Sequence, residues 1–115
     1  MVLETARLEL RELEEGDLAS MGRILKDPAV MYAYEHAFSN VEAQAWLDRQ
    51  LERYARDGFG LWAVIEKETS DFIGLCGLTW QDWAGRQVPE VGYQFRKDRW
   101  HRGFAAEAAI ACRDY

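Results

Sequence analysis

Between Gly60 and Phe95, three apolar or alternating runs are separated by short polar turns, and no other stretch constrains the fold as strongly. Leu61-Trp62-Ala63-Val64-Ile65 is a compact apolar run, followed by the turn Lys67-Glu68-Thr69-Ser70-Asp71. Phe72 to Trp80 runs back, Asp82 to Gln87 form a second turn, and Val88 to Phe95 return with Pro89 near the start. Runs of β-branched and aromatic residues bounded by turn formers read as strands, so residues 60–95 predict an antiparallel meander. Gly74 and Gly77 inside the middle strand would weaken it, which marks a bulge or a close approach of another backbone.

The flanking segments change period. Arg7 to Leu13 alternate with Leu8 and Leu10 inward, and Val2 is a candidate to join them, which predicts a first strand. From Glu14 onward Leu18, Met21, Gly22, Ile24 and Leu25 recur at helical spacing until Pro28, and Asp27-Pro28 can cap a short turn of helix through Ala33. Ser39 followed by Glu42 fits a capping box. The helix it opens has Ala43, Trp46, Leu47, Gln50, Leu51 and Tyr54 on one face and Gly58 as its C-terminal cap. Arg102 to Tyr115 is rich in alanine and predicts a last helix. The order is strand, helix, helix, three strands, loop, helix, an α+β arrangement.

With 115 residues there is room for one domain, expected over 1–115. No apolar run reaches the ~18 residues of a membrane span, and MVLETARLEL has no apolar signal core. The expectation is a cytoplasmic protein with no membrane partner. Cys76 and Cys112 lie in apolar surroundings, which reads as two reduced, buried thiols rather than a disulfide framework. The net charge of −6 argues against a nucleic-acid partner. Yet residues 95–104 carry Arg96, Lys97, Arg99 and Arg102 against Asp98 alone, an island that suits a compact polyanion.

The chemistry concentrates there. A strand ends at Phe95, a basic loop follows, and a helix of small residues begins at Gly103. A helix N-terminus offers unpaired N–H groups and the positive end of its dipole, a fitting site for phosphate. Gly103 lets an anion approach the backbone, and Ala105 and Ala106 keep the first turn low. The residues alone leave two readings: a diphosphate cradle, or an ordinary glycine start to a core helix beside a solvated loop. His36 and His101 have no ligand spacing with each other or with the cysteines, so no metal is expected. Neither thiol has a neighbouring histidine that would make it a nucleophile. A dinucleotide-binding βαβ unit is disfavoured by the absence of G-x-G-x-x-G after an early strand.

The segment from Trp100 to Ala108, W-H-R-G-F-A-A-E-A, resembles the acetyl-coenzyme A motif of the GNAT acetyltransferase superfamily, Q/R-x-x-G-x-G/A. More closely it is similar to the branch of ribosomal-protein alanine N-acetyltransferases, with W-G-x-G-Y-A-x-E-A; His101 stands where that branch has Gly. Leu3-Glu4-Thr5-Ala6-Arg7-Leu8 resembles the branch's L-x-T-x-R-L opening, Asp27-Pro28-Ala29-Val30 its D-P-x-V, and Ile73-Gly74-Leu75-Cys76-Gly77-Leu78 its I-G-x-x-G-L strand. Gly60-Leu61-Trp62-Ala63-Val64 is similar to its strand after the second helix.

The resemblance implies a GNAT-like acyl-CoA N-acyltransferase fold, a mixed, mainly antiparallel sheet flanked by helices. Superfamily domains run on the order of 150 residues or more, so this chain is expected to be their N-terminal part, lacking the C-terminal strands and the general acid found there. It further implies acetyl-CoA as co-substrate and an amine acceptor, acetylated by direct attack. Main-chain groups around Phe95, Arg96 and Lys97 would pair with the pantetheine arm. Trp100, His101, Arg102, Gly103, Phe104, Ala105 and Ala106 would hold the pyrophosphate. Arg96, Lys97, Arg99 and Arg102 are candidates for the adenosine 3′-phosphate, or simply solvated surface. Glu90 is the candidate base, expected to be partly buried at the start of its strand, or else a polar strand-edge residue. Tyr93 alternates with Val91 and Phe95 and is expected in the core. Glu35 and His36 fall in the segment that shapes the acceptor site. The alternative function is a truncated, catalytically silent coenzyme A-binding or assembly module. The open sheet edge left by the absent strands predicts a homo-oligomer.

Overall fold

A computed structural model describes residues 2–31 and 37–115. Five strands form one sheet in sequence order, every neighbour antiparallel: β1 (Leu3–Glu4), β2 (Leu8–Arg11), β3 (Leu61–Glu66), β4 (Phe72–Trp83) and β5 (Arg86–Phe95). The helices are α1 (Leu18–Leu25), α2 (Asn40–Asp57) and α3 (Phe104–Arg113), with single 3-10 turns at Glu15–Asp17 and Lys97–Arg99. The meander expected from residues 60–95 is present. The first strand is split, because Thr5 to Arg7 turn the chain and leave a two-residue β1 against β2.

Alternation along β2 and β3 divides the core between the two faces of the sheet. Leu8, Leu10, Trp62 and Val64 join Phe95 under α3, which contributes Phe104, Ala108 and Cys112. Ala63 and Leu75 lie on the other face with Met21, Ile24 and Leu25 of α1 and Ala43, Trp46 and Leu47 of α2. Each aliphatic side chain buried this fully contributes about 1.5–3 kcal/mol. The helix α2 starts and stops where its sequence directs. Ser39 accepts from the Glu42 N–H at 3.2 Å, Glu42 accepts from the Ser39 N–H at 2.9 Å, and Gly58 closes the end in the left-handed region at φ 81°. Its inner face docks on β3 through polar contacts as well. Buried Gln50 accepts from the Leu61 N–H at 3.0 Å, and the Tyr54 hydroxyl donates to the Leu61 carbonyl while accepting from Leu13.

Both glycines of β4 have structural work. The register shifts between Val64 and Ile65, leaving Ile73 as the extra residue of a bulge next to Gly74. At Gly77 a Cβ would stand 2.0 Å from the Gly60 carbonyl oxygen, so only glycine lets the two backbones pass.

The second turn is much shorter than expected. Asp82 pairs with Gln87 and Trp83 with Arg86, leaving Ala84-Gly85 as a two-residue turn with φ 52° and 80°, the type I′ geometry that matches strand twist. Because β3 starts at Leu61, opposite Gly77, and the Leu78 N–H still donates to the Gly60 carbonyl at 3.1 Å, it is residues 79–83 that pair only with β5 and form a two-stranded ribbon. Pro89, expected near the strand's start, sits well inside β5 opposite Trp80. Among the described residues β5 is an edge strand, where proline is tolerated.

Candidate functional site

The site is assembled where β5 ends. The Arg96 N–H donates to the Ile73 carbonyl at 2.9 Å, and Phe95 lies opposite Gly74. In an antiparallel ladder this alternation turns the main-chain groups of Gln94 and Gly92 toward β4, and those of Phe95, Tyr93 and Val91 outward. It also turns Pro89, which has no N–H, outward. The Phe95 carbonyl accepts from the Trp100 indole at 2.9 Å, so among the described residues the open groups nearest the end of the strand are the Tyr93 N–H and carbonyl and the Phe95 N–H.

The loop is held tightly from within. Arg99, 12% exposed, donates to Glu66, Asp71 and Asp98, each at 2.9 Å. Arg96 makes a fork to Asp98 at 2.6 and 3.0 Å, which, with Arg96 and Arg99 nearby, holds that carboxyl below the usual carboxylate range. Two of the four cations in the basic island are therefore committed. Lys97 and Arg102 form no ion pair among the described residues.

His101 and Gly103 both adopt left-handed backbone, φ 66° and 79°, and fold the chain back into α3. Among the described residues no side chain caps α3. The first ladder bond is Glu107 N–H to the Gly103 carbonyl at 3.0 Å, so the N–H groups of Phe104, Ala105 and Ala106 have no intrahelical acceptor. They open onto a cavity of about 770 Å³ that Gly103, Ala105 and Ala106 line together with Phe95, Trp100 and Arg99. That volume suits a cofactor-sized molecule. Uncapped donors, the positive end of the helix dipole and two methyl side chains fit a diphosphate, and an open strand edge fits an extended amide chain.

Of the residues expected to hold the coenzyme, Phe95, Trp100, His101, Gly103, Phe104, Ala105 and Ala106 line this cavity. Arg96, Lys97 and Arg102 do not. The Arg96 N–H is used inside the sheet, and the Arg96 and Lys97 carbonyls accept from Arg99 and Trp100. The open main-chain groups of this edge thus lie at Tyr93 and Phe95. Arg102 lines a second hollow of about 490 Å³ on the far side of the turn. Tyr93 is 53% exposed at the cavity wall rather than in the core, because α3 does not cover that part of the strand. Glu90 is exposed and lies mid-strand opposite Thr79, not partly buried at a strand start. It shares a strand face with Gln94, roughly 13 Å away by strand rise. Val30, in the turn capped by Asp27, also reaches the cavity. Glu35 and His36 lie outside the described residues, as does the end of the Pro28 turn at Ala33. No cluster of three potential metal ligands occurs among the described residues. The thiols of Cys76 and Cys112 are free, buried and 3.6 Å apart, a proximity that sequence spacing did not signal.

The family model for the acetyltransferase (GNAT) domain matches residues 7–115. The chain belongs to the GNAT acetyltransferase family. It is 35% identical over 114 residues to the uncharacterized protein YkkB of Bacillus subtilis (strain 168), covering 98% of this chain and 66% of YkkB. It is 30% identical over 115 residues to the uncharacterized N-acetyltransferase p20 of Bacillus licheniformis, covering 98% of this chain and 64% of p20. The crystal structure of an acetyltransferase from Agrobacterium tumefaciens str. C58 superposes with a TM-score of 0.82 at 26% identity, over 97% of this chain and 64% of that one. The GNAT chain described here thus spans just under two thirds of the length of these relatives.

Proposed function

We propose that the chain carries the coenzyme-binding part of an N-acetyltransferase that moves an acetyl group from acetyl-CoA to a primary amine. The observation that carries this reading is the uncapped, glycine-started N-terminus of α3 opening into the same cavity as the open edge of β5. Acetyl-CoA supplies an activated thioester. The N–H groups of residues 104–106 hold its diphosphate, and Tyr93 and Phe95 pair with the amide-bearing arm as an added strand would. An outward N–H on that edge is a donor for the thioester carbonyl, where negative charge develops on attack. Glu90 accepts the proton of the incoming ammonium through water, the freed amine forms the amide as the carbon–sulfur bond breaks, and the departing coenzyme A thiolate takes up the second amine proton through solvent; Val30 contributes to the acceptor's side of the cavity. The motif around Trp100 supports the ribosomal-protein alanine branch, and so a protein N-terminus as acceptor. Among the described residues no helix is long and apolar enough to cross a membrane.

A second reading, a silent assembly module, is favoured by one observation. The open β5 edge carries Tyr93, 53% exposed, and α3 presents Ile110, 51% exposed. The two readings separate by experiment. Thiol release from acetyl-CoA is followed with a panel of amines, and coenzyme A affinity is measured by calorimetry for the parent and for Gly103→Glu. Release above the buffer rate, and binding abolished by Gly103→Glu, are expected. Binding that survives Gly103→Glu undiminished moves the phosphate site elsewhere. Binding without release for any amine leaves the module.

A further inference from the structure

Two motif segments named in the sequence, around Thr5-Ala6-Arg7 and at Glu107, play no part in the site so far, yet they meet directly beneath it. The Arg7 guanidinium donates to Glu107 Oε1 at 2.7 Å and to the Arg102 carbonyl at 2.9 Å, and lies 4.2 Å over the ring of Phe104. A Cβ on Gly103 would be 3.4 Å from its remaining terminal nitrogen. The other carboxylate oxygen of Glu107 accepts from the Arg7 N–H at 3.0 Å and from the Thr5 hydroxyl. That hydroxyl accepts from the Leu8 N–H at 3.0 Å, and Lys67 donates to the Thr5 carbonyl at 2.7 Å. One side chain thus ties the β1–β2 turn to Arg102 in the turn before α3 and to Phe104 and Glu107 in the first turn of α3.

The bond to Arg102 sets a direction. In a trans peptide the C=O and the following N–H point opposite ways. With the Arg102 carbonyl drawn toward Arg7, the Gly103 N–H points away from it, the side on which Gly103 lines the cavity. We propose that Arg7 is a positioning residue: it recruits the Gly103 N–H as a further donor to the diphosphate and locks the start of α3 in its receptive orientation. Thr5 and Glu107 hold Arg7 in place. Arg7 stays behind the turn and does not touch the coenzyme. Lysine cannot replace it, because a single ammonium lacks the planar fork that reaches Glu107 and the Arg102 carbonyl together.

The inference rests on the coenzyme reading above, and its test keeps the two apart. Coenzyme A binding is measured by calorimetry for the parent, Gly103→Glu, Arg7→Lys and Arg7→Ala, well below each unfolding midpoint, and the midpoints are recorded separately. The expected result is an affinity about tenfold weaker for Arg7→Lys, and weaker by at least that for Arg7→Ala. A purely structural Arg7 would lower the midpoint and leave the affinity unchanged, and that result overturns the proposal. Should Arg7→Ala fail to fold, Arg7→Lys, which keeps the charge beside Glu107, decides. A parent that does not bind coenzyme A overturns the functional reading itself. A parent that binds, with Gly103→Glu not binding and both Arg7 variants binding as the parent does, overturns this inference alone.

Discussion

The ring of Phe95 occupies the space that a side chain at Gly74 would fill: a Cβ built there would lie 2.5 Å from Phe95 Cδ2. The two residues are cross-strand partners, and the missing side chain lets the ring lie flat on β4 under α3. Phe95 is also the residue whose carbonyl takes the Trp100 indole, so the packing fault would travel into the cavity wall. Gly74→Ala should destabilise the fold by about 1–3 kcal/mol through overpacking, read as a lower urea midpoint. Unchanged stability would mean that Phe95 has another place to go.

His101 holds a left-handed backbone conformation at φ 66°, which costs a residue with a Cβ roughly 1–2 kcal/mol. Part of that is recovered on substitution, since glycine also gains freedom in the unfolded chain. His101→Gly should therefore raise stability by up to about 1 kcal/mol and preserve coenzyme binding. A loss of binding would assign the imidazole a direct role at the cavity.

Two carboxylates link stability to pH. For Glu107, burial pushes the carboxyl up, but hydrogen bonds from Thr5 and Arg7 outweigh it and hold the group below its ordinary range. Asp17 behaves alike: its burial is outweighed by the Arg11 fork and the Glu14 N–H. A depressed native value means the unfolded chain binds protons first. The stabilisation is therefore complete above the ordinary carboxylate range and is lost as pH falls through the native values. The urea midpoint should drop between about pH 5 and pH 3, and Glu107→Gln should flatten part of that slope. A midpoint indifferent to pH in that window would show both pairs to be energetically silent.

The outward face of β5 and the exposed Tyr93 and Ile110 should draw two copies together. Light scattering over a dilution series is expected to show a mass that falls toward the monomer as concentration falls. A monomer at every concentration would show that the edge is protected by its own twist and charge.

What the sequence disclosed was local. The Ser39–Glu42 box and Gly58 bound α2 through contacts only a few residues apart, so their signals survive in the chain itself. The Ala84-Gly85 turn was hidden because the ribbon strands around it have no buried face and hence no apolar alternation. Tyr93 does share a strand face with Phe95, but alternation cannot say how far α3 extends over that face. Arg99 looked free for a phosphate because its partners Glu66 and Asp71 stand 33 and 28 residues earlier. The Arg7–Glu107 pair, 100 residues apart, was visible only as two unconnected motif fragments.

The ribbon beyond Gly77 has a mechanical consequence. The hairpin acts as a cantilever: the five-stranded sheet lies on one side of Gly77, Leu78 and Trp80 still touch Gly60 and Phe59 at the root, and two strands alone run on to Trp83. A two-stranded ribbon is only marginally stable alone. The beam can therefore open and reclose while the sheet stays intact, so its amides should exchange with solvent at a lower free energy than those of β3. Trp83, 73% exposed, marks the tip of this beam, and β5 runs from there to Phe95 at the cavity wall.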